Sequence, residues 1–368
     1  MKCLITLLCI NLATFSGWSQ NPNSELDSIS VELMVGQMIL TGIGDQSIMK
    51  KNHPLLDEIR EGKVGGVIFF EKNVNAKKPV EEIKKSIELM QSSSITPLLV
   101  SIDEEGGRVN RLKTKYGFAK TVSADYLGKI NNLDSTIYYA NSTASTLSNL
   151  GFNVNFAPVV DLKVNPDNPV IAKIERSYSA DPNVVAYHAS AVVAAHRENG
   201  VYTALKHFPG HGSSKSDTHL GVADVTDFWQ FNEILPYKYM IDSGKVDCIM
   251  SAHIVNRNLD PNGYPATISP IIIKDVLRNV LGFDGVVFSD DMQMHAISKN
   301  YGFEESIKMA INAGVDILVF ANNVPGNERR TPSEIHALIM RYISNGEIKE
   351  ETIRNSYQRI MKLKLNLK

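Results

Sequence analysis

The chain has 368 residues, of which 43% are hydrophobic and 21% charged, and its formal net charge is −2. This composition is typical of a folded globular protein and excludes the disordered and fibrous classes. With 38 Lys and Arg residues against 40 Asp and Glu residues, the chain lacks the basic charge that nucleic-acid binding requires, so nucleic acid is not an expected partner.

The first twenty residues have the pattern of a secretory signal peptide. Lys2 precedes an apolar run over residues 3–15, and the small residues Gly17 and Ser19 follow at the spacing of a cleavage site. The run is too short to span a bilayer, although a buried first helix is an alternative interpretation. We therefore predict a signal peptide over residues 1–20 and a mature chain over residues 21–368. The mature chain is expected to be exported, periplasmic or secreted, and to have no membrane span.

Cysteine usage fits this prediction. Cys3 and Cys9 fall within the predicted signal peptide, which leaves Cys248 alone in the mature chain. No internal disulfide is then possible, and Cys248 is expected to pack as a small hydrophobic residue.

Short apolar runs alternate with amphipathic stretches along the mature chain, which is typical of βα units that build a parallel sheet. Helical patterns lie between the runs, at residues 79–91, 135–150, 182–199, 271–281, 303–313 and 333–345. No linker divides the chain, so we predict a single-domain α/β fold, a (β/α)8 TIM-type barrel, with a doubly wound open sheet as the competing architecture. The eight predicted strands are residues 36–44, 64–70, 97–102, 154–160, 202–206, 248–253, 285–289 and 316–320.

Polar residues gather where these predicted strands end, which is where the catalytic groups of a (β/α) barrel lie. The set contains carboxylates, histidines, arginines and a lysine, without a phosphate-binding loop or a dinucleotide fingerprint. It favours acid/base or nucleophilic chemistry on a polar organic substrate, a hydrolase first of all, and no cofactor is expected. The strand-end residues include Asp103, Glu104, Glu105, Arg111, Asp161, Lys206, His207, His211, His253, Asp290 and Asp291.

Two other chemistries are conceivable for this set. A metal site built from His207, His211, His219 and His253 lacks the usual ligand spacing, because the first two flank a Pro-Gly turn, and no metal is expected. Lys206 could form a Schiff base, but the sequence around it gives no desolvating surroundings, so a hydrogen-bonding role is favoured.

Three motifs resemble glycoside hydrolase family 3, in its single-domain β-N-acetylhexosaminidase subgroup. They are Ile-Asp-Glu-Glu-Gly-Gly-Arg-Val at 102–109, Lys-His-Phe-Pro-Gly-His-Gly at 206–212 and Phe-Ser-Asp-Asp-Met at 288–292, and they occur in the family's order. The resemblance implies a (β/α)8 barrel and a retaining mechanism through a covalent glycosyl-enzyme. It matches Asp290 to the nucleophile and leaves Asp291 for local hydrogen bonds, although sequence alone leaves a swap of these roles open.

The resemblance also implies an unusual acid/base. The family's hexosaminidases use a histidine on the loop after strand five, paired with an aspartate two residues earlier, and these positions match His219 and Asp217 here. An imidazole titrates near pH ~6.5 and can protonate a leaving oxygen, while the carboxylate fixes its tautomer. A polar loop without catalytic function is the alternative interpretation of these two residues.

The remaining matched positions are implied to bind the sugar: Asp103, Arg111, Arg176, Lys206 and His207. Gly106 and Gly107 are expected to form the turn that aims Asp103 and Arg111, although a purely structural ion pair of Arg111 is an alternative. Residues 172–175 make the link before Arg176 longer than the family's usual one, so the motif does not fix where this side chain points.

The expected function is that of an exported retaining exo-β-N-acetylglucosaminidase, whose oligosaccharide substrate is a peptidoglycan fragment or a chitin-like chain. A β-glucosidase, a β-xylosidase or a phosphorolytic member of the same family is the alternative. A sugar-binding protein without hydrolysis and a Schiff-base lyase are more remote possibilities.

Overall fold

The computed structural model describes residues 29–215, 221, 223–323, 328–365 and 367, and from Val31 onward the chain forms one compact unit. The predicted signal peptide, residues 1–20, lies outside the described residues. Ten strands are described, and eight of them form a closed parallel barrel in the order β1-β10-β9-β7-β5-β4-β3-β2. The strands are β1 Ile39–Gly42, β2 Gly66–Phe69, β3 Leu99–Ile102, β4 Val154–Asn155, β5 Tyr202–Phe208, β6 Ala223–Asp224, β7 Cys248–Ser251, β8 Ile254–Val255, β9 Val286–Asp291 and β10 Ile317–Phe320.

This closed order confirms the predicted barrel and excludes the open doubly wound sheet. Each of the eight predicted apolar runs overlaps one barrel strand, and β6 and β8 form a separate two-stranded sheet outside the predicted strands. Cys248 is fully buried in β7, as predicted.

Helices cover the outside of the barrel, and their ends follow local sequence signals. Asp181 caps the helix that begins at Pro182, and Thr331 forms a capping box with Glu334. None of the helices in the described part of the chain is long and apolar enough to cross a membrane. The helices are α1 Val31–Gln37, α2 Pro54–Arg60, α3 Pro79–Ser93, α4 Ala124–Ile130, α5 Leu133–Leu150, α6 Pro182–Glu198, α7 Leu235–Asp242, α8 His295–Tyr301, α9 Phe303–Ala313, α10 Pro332–Ser344 and α11 Glu350–Lys364, with a π-helix at Ile271–Val280.

Several predicted elements differ from the observed ones. The run 154–160 was predicted as one strand, but β4 ends at Asn155, since Pro158 has no N–H to donate to a neighbouring strand, and only an isolated bridge joins Val159 to Lys206. Strand β5 continues to Phe208 and strand β9 to Asp291, each two residues beyond the prediction. The predicted helix 271–281 has π-type hydrogen bonding.

Two barrel strands carry an irregularity near their carboxyl ends. In β5, Leu205 pairs with Ile249 and Phe208 with Ser251, so three steps along β5 match two steps along β7. In β9, Phe288 pairs with Ile317 and Asp291 with Val319, which again sets three steps against two. Each bulge adds one residue where candidate site residues lie, and bulges of this kind change the direction of nearby side chains.

Candidate active site

The candidate site lies at the mouth of the barrel, the end at which the strands finish. Asp103 directly follows β3, Lys206 and His207 lie in the bulged end of β5, and Asp290 lies in the bulged end of β9. In the closed order, β3 and β9 are four strands apart, on opposite sides of an eight-stranded barrel, and β5 is midway between them. The predicted nucleophile and Asp103 therefore come from opposite sides of the mouth.

An alternating chain of ion pairs links the predicted sugar-binding residues. Lys206 is 2% exposed, and its Nζ lies 2.8 Å from Asp103 Oδ1 and 2.7 Å from Glu105 Oε1. Arg176 donates to both carboxylate oxygens of Glu105, at 2.8 Å from Nε and 2.7 Å from Nη2. Arg111 Nη2 lies 3.3 Å from Asp103 Oδ2. Two carboxylates thus hold three cations in fixed positions.

The electrostatics of these ion pairs keep the two carboxylates, Asp103 and Glu105, charged. Burial alone raises the pKa of Asp103, but the charges of Lys206 and Arg111 outweigh it and lower that pKa below its ordinary value. Burial likewise acts to raise the pKa of Glu105, and Arg176 and Lys206 together hold it well below the usual range. Both groups are therefore anions at neutral pH, ready to accept hydrogen bonds.

His207 is oriented by Asp161, a fully buried residue that follows β4. Its Nδ1 lies 2.7 Å from Asp161 Oδ2, and the same carboxylate accepts the backbone N–H groups of His207 and His211. On the other side of the ring, Nε2 lies 3.3 Å from Arg176 Nη2, which can only donate. The contacts therefore place the imidazole proton on Nδ1 and make Nε2 an acceptor.

Arg176 has a defined position despite the longer link before it. Besides Glu105, its Nη1 donates to the backbone oxygen of Val170 at 2.9 Å, within the same loop. Glu175 adopts a left-handed conformation with φ of 61° just before it. The extra residues are accommodated in this turn, and the guanidinium reaches Glu105 and His207.

The neighbouring aspartates in β9 have different surroundings. Asp291 Oδ1 accepts the N–H groups of Gln293 and Ala321, and the Asp291 carbonyl lies 2.9 Å from Nε2 of the buried His253. Asp290 Oδ1 accepts the N–H of Asp291 at 2.8 Å. Asp291 is therefore bound to backbone groups of two loops, an arrangement that supports its predicted local role.

Asp217 and His219, the predicted acid/base pair, lie outside the described residues. The chain leading to them is described as far as residue 215, and buried side chains hold it. Asn168 donates to the carbonyls of His211 and Gly212, and Glu233 Oε2 accepts the N–H of Ser213 at 3.1 Å. The stem of this loop, residues 209–214, is thus fixed by residues that come from other parts of the barrel.

The structure brings together Asp103, Arg111, Arg176, Lys206 and His207 and connects them through two residues to which the sequence analysis gave no role. Glu105 joins Lys206 to Arg176, and Asp161 orients His207. Both residues were predicted to lie at strand ends, and this position was the available sequence signal of a role in the site. Across the described ranges, no three His, Cys, Asp or Glu side chains are grouped so that they could hold a metal ion.

Several proteins with known names are similar to this chain. A beta-hexosaminidase of Tolumonas auensis is 34% identical over 273 residues, which cover 73% of this chain and 78% of that protein. A glycoside hydrolase family 3 beta-N-acetylglucosaminidase from Paenibacillus sp. str. FPU-7 superposes with a TM-score of 0.81 at 32% identity, covering 92% of this chain. The matched region is 63% of that longer Paenibacillus chain.

A beta-N-acetylhexosaminidase from Beutenbergia cavernae is similar along nearly its whole length. It superposes with a TM-score of 0.79 at 28% identity, covering 91% of this chain and 98% of that one. The model of the glycosyl hydrolase family 3 N-terminal domain matches residues 26–363. With this match and the barrel-mouth cluster, the chain belongs to glycosyl hydrolase family 3 and is a glycoside hydrolase.

Proposed function

We propose that this protein is an exported, retaining exo-β-N-acetylglucosaminidase that releases terminal N-acetylglucosamine from peptidoglycan fragments or chitin-like oligosaccharides. The observation that carries the proposal is the ion-paired cluster of Asp103, Lys206, Glu105 and Arg176, which lies across the barrel mouth from Asp290. The names of the relatives, beta-hexosaminidase and beta-N-acetylglucosaminidase, support the amino-sugar preference.

The cluster suits a hydroxyl-rich ring because it offers charged acceptors and donors in fixed places. The Asp103 carboxylate can accept hydrogen bonds from ring hydroxyls, and Arg111 and Lys206 retain further N–H groups to donate. A buried polar group left without a partner costs about 1–3 kcal/mol, so a sugar that lacks a matching hydroxyl would bind poorly. The sugar-binding residues thus supply specificity as well as affinity.

The proposed reaction has two displacements. Asp290 attacks the anomeric carbon while the bond to the leaving oxygen breaks, and His219 gives that oxygen its proton. His219 then takes a proton from water, the water oxygen attacks the anomeric carbon, and the bond to Asp290 breaks. Asp217 holds the imidazole tautomer and stabilises the imidazolium that forms in the second step. A histidine that alternates between imidazolium and neutral imidazole also avoids placing a second anion beside the nucleophile.

The test is hydrolysis of an aryl N-acetyl-β-glucosaminide by the wild type and by Asp290→Ala. We expect kcat to fall by at least about a thousandfold in the variant, since the covalent step is lost. Added azide should restore product formation as the α-glycosyl azide, because azide then attacks directly from the face that Asp290 occupied. Asp291→Ala is the matched comparison: azide rescue in that variant alone would reverse the assigned roles, and full activity of Asp290→Ala would refute the mechanism.

The alternatives differ in their products. A panel of N-acetylglucosaminides, glucosides and xylosides separates the hexosaminidase from the other glycosidases, and a glycosyl phosphate formed in phosphate buffer would identify a phosphorylase. A protein that binds sugar without turnover would be a binding module. A lyase acting through Lys206 would be trapped by borohydride, but the Lys206 ammonium is held between two carboxylates, which suits a donor and not a nucleophile.

Export is part of the proposal and rests on the pattern of residues 1–20. We expect the protein recovered from the periplasm or the medium to lack this segment. N-terminal sequencing of the exported protein would check it, and a protein that retains residues 1–20 inside the cell would contradict it.

A further inference from the structure

The last residue of β4, Asn155, is fully buried and lies beside the carboxyl end of β3. The pairing of these two strands ends at Ile102 and Asn155. Asp103, Glu104 and Glu105 follow β3 and lie outside any strand. The backbone pairing of β3 with β4 therefore does not extend to the segment that carries two carboxylates of the ion-paired cluster.

The Asn155 side chain binds this segment where the strand pairing ends. Its Oδ1 accepts the backbone N–H of Glu104 at 3.0 Å, and its Nδ2 donates to the backbone oxygen of Glu104 at 3.0 Å. One amide thus holds the two peptide groups on either side of Glu104. These peptide groups join Glu104 to Asp103 and Glu105, so the amide fixes the backbone from which both carboxylates extend.

A histidine in α6 fixes the orientation of the Asn155 amide. His196 is 1% exposed, and its Nδ1 lies 2.8 Å from the backbone oxygen of Val192, which can only accept. The ring proton is therefore on Nδ1, and Nε2 accepts a hydrogen bond from Asn155 Nδ2 at 3.0 Å. Burial lowers the pKa of His196 to about 4, so the ring is neutral at pH 7. A reversed amide would lose all three of its hydrogen bonds.

The side chain of Glu104 connects the same segment to Arg111. Its buried carboxylate accepts the backbone N–H of Arg111 at 2.8 Å. Gly106 and Gly107 have φ values of 91° and 59°, which allow the predicted turn between these two residues. The Arg111 guanidinium in turn contacts Asp103. Glu104 therefore holds both ends of this turn, with its backbone bound by the amide and its carboxylate bound to the returning chain.

We infer that Asn155 is a positioning residue for the proposed reaction, because its amide sets the positions of Asp103 and Glu105. This inference rests on the proposed function and assigns Asn155 to the binding of the terminal sugar. Its side chain has no exposed surface with which to touch the sugar, and Asp290 comes from the opposite side of the mouth. Displacing the amide should therefore weaken sugar binding more than it slows the chemical step.

Asn153, two residues earlier, offers a matched comparison. Its Oδ1 accepts the backbone N–H of Val100 at 2.7 Å, and its Nδ2 donates to the backbone oxygen of Leu98 at 2.9 Å. This amide binds the backbone of the same neighbouring strand, but at the amino end of β3, away from the barrel mouth. A change at Asn153 thus removes the same kind of contact without reaching the ion-paired cluster.

The test compares Asn155→Asp with Asn153→Asp. Aspartate has nearly the same size, but it replaces the donor nitrogen by an acceptor oxygen that faces a backbone oxygen. We expect Asn155→Asp to raise both the inhibition constant of N-acetylglucosamine and the KM of the aryl N-acetyl-β-glucosaminide by about ten- to a hundredfold, with a smaller change in kcat. Asn153→Asp should keep the wild-type constants even if its melting temperature falls, because neither constant depends on the amount of folded enzyme.

A second pair of variants serves if Asn155→Asp does not fold. His196→Leu removes the acceptor of the Asn155 amide, whereas His196→Gln keeps a side-chain oxygen that can accept. We expect His196→Leu to raise the inhibition constant of N-acetylglucosamine by about three- to tenfold, and His196→Gln to bring it back towards the wild-type value.

Two results would overturn the inference. One is an inhibition constant that folded Asn155→Asp leaves unchanged or, if this variant does not fold, that His196→Leu leaves unchanged. The other is an equal rise in Asn153→Asp, which would indicate a general effect of strand contacts. Hydrolysis of the aryl glycoside by the wild type separates the two levels, since its absence would refute the proposed function itself.

Discussion

Glu105 shows how a single residue controls the geometry of the candidate site. It is the carboxylate that Lys206 and Arg176 share, and the Arg176 guanidinium in turn faces His207. Without its charge, two buried cations lose their common partner, and breaking such a pair is costly, about 3–5 kcal/mol in well-enclosed cases. The positions of three side chains that we propose bind the sugar therefore depend on a residue that need not touch it.

We predict that Glu105→Gln lowers kcat/KM on the aryl glycoside by about ten- to a hundredfold, with a raised KM, and also lowers the melting temperature. Steady-state kinetics and thermal unfolding measure both effects. Glu304→Gln is the control, because Glu304 pairs with Arg341 at the solvent-exposed surface, where such pairs contribute little. A Glu105→Gln enzyme with wild-type KM would show that Arg176 and Lys206 keep their positions without this carboxylate.

The roles of Glu105 and Asp161 could not be predicted from the sequence, whereas part of the site could. Asp103, Lys206 and Asp290 follow or end predicted strands, and the barrel rule places such residues at the mouth. Glu105 pairs with Arg176 seventy-one positions later, and Asp161 with His207 forty-six positions later, so their roles depend on contacts between elements that no local pattern encodes. The unpredicted strands β6 and β8 have only two residues each, too few to show an alternation.

Among the structural elements, the loop stem at residues 209–214 is held by two carboxylates, and their pKa values are shifted in opposite directions. Asp161 is fully buried, which acts to raise its pKa, but His207 and His211 together outweigh burial and lower it. Burial raises the pKa of Glu233 to about 7, and the N–H groups that it accepts from Ser213 and Gln230 do not offset this. The two carboxylates therefore make opposite contributions to the pH dependence of stability.

Between the ordinary pKa of a glutamate, 4.5, and about 7, folded Glu233 keeps a proton that the unfolded chain has released, so the free energy of unfolding falls as pH rises through this range. We predict that Glu233→Gln reduces the fall between pH 5 and pH 8 by up to about 3 kcal/mol. Urea unfolding at both pH values measures it, with the exposed Glu351→Gln as control. An unchanged difference between the two pH values would mean that Glu233 is already ionised in the folded protein at pH 5.

At the scale of the whole molecule, the last helix closes the end of the barrel opposite to the mouth with a lysine. Lys364 is 3% exposed, and its Nζ donates to Gln37 Oε1 at 2.7 Å and to the Gly65 carbonyl at 2.8 Å. Burial lowers its pKa to about 7. From about pH 7 to the ordinary lysine pKa of 10.5, the unfolded chain holds a proton that the folded protein has released, so this group makes the free energy of unfolding rise with pH.

We predict that Lys364→Met removes this contribution, which shows as a flatter dependence of the unfolding free energy between pH 7 and pH 10. Lys362→Met is the matched control, since Lys362 belongs to the same last turn of α11 and its side chain is 78% exposed. Urea unfolding across this range distinguishes the two variants. If the free energy of unfolding depended equally on pH in the wild type and in Lys364→Met, the Lys364 amine would keep its proton in the folded protein and the prediction would be wrong.

The bulge in β9 interrupts the regular alternation of side-chain directions at the Asp290-Asp291 pair. In a regular strand, consecutive side chains face opposite sides of the sheet, so one member of a neighbouring acidic pair would point towards the surrounding helices. The additional residue between Phe288 and Asp291 interrupts this alternation. Deleting or inserting a residue at this point would thus exchange the surroundings of the two aspartates, although the Asp-Asp motif would still match in a sequence alignment.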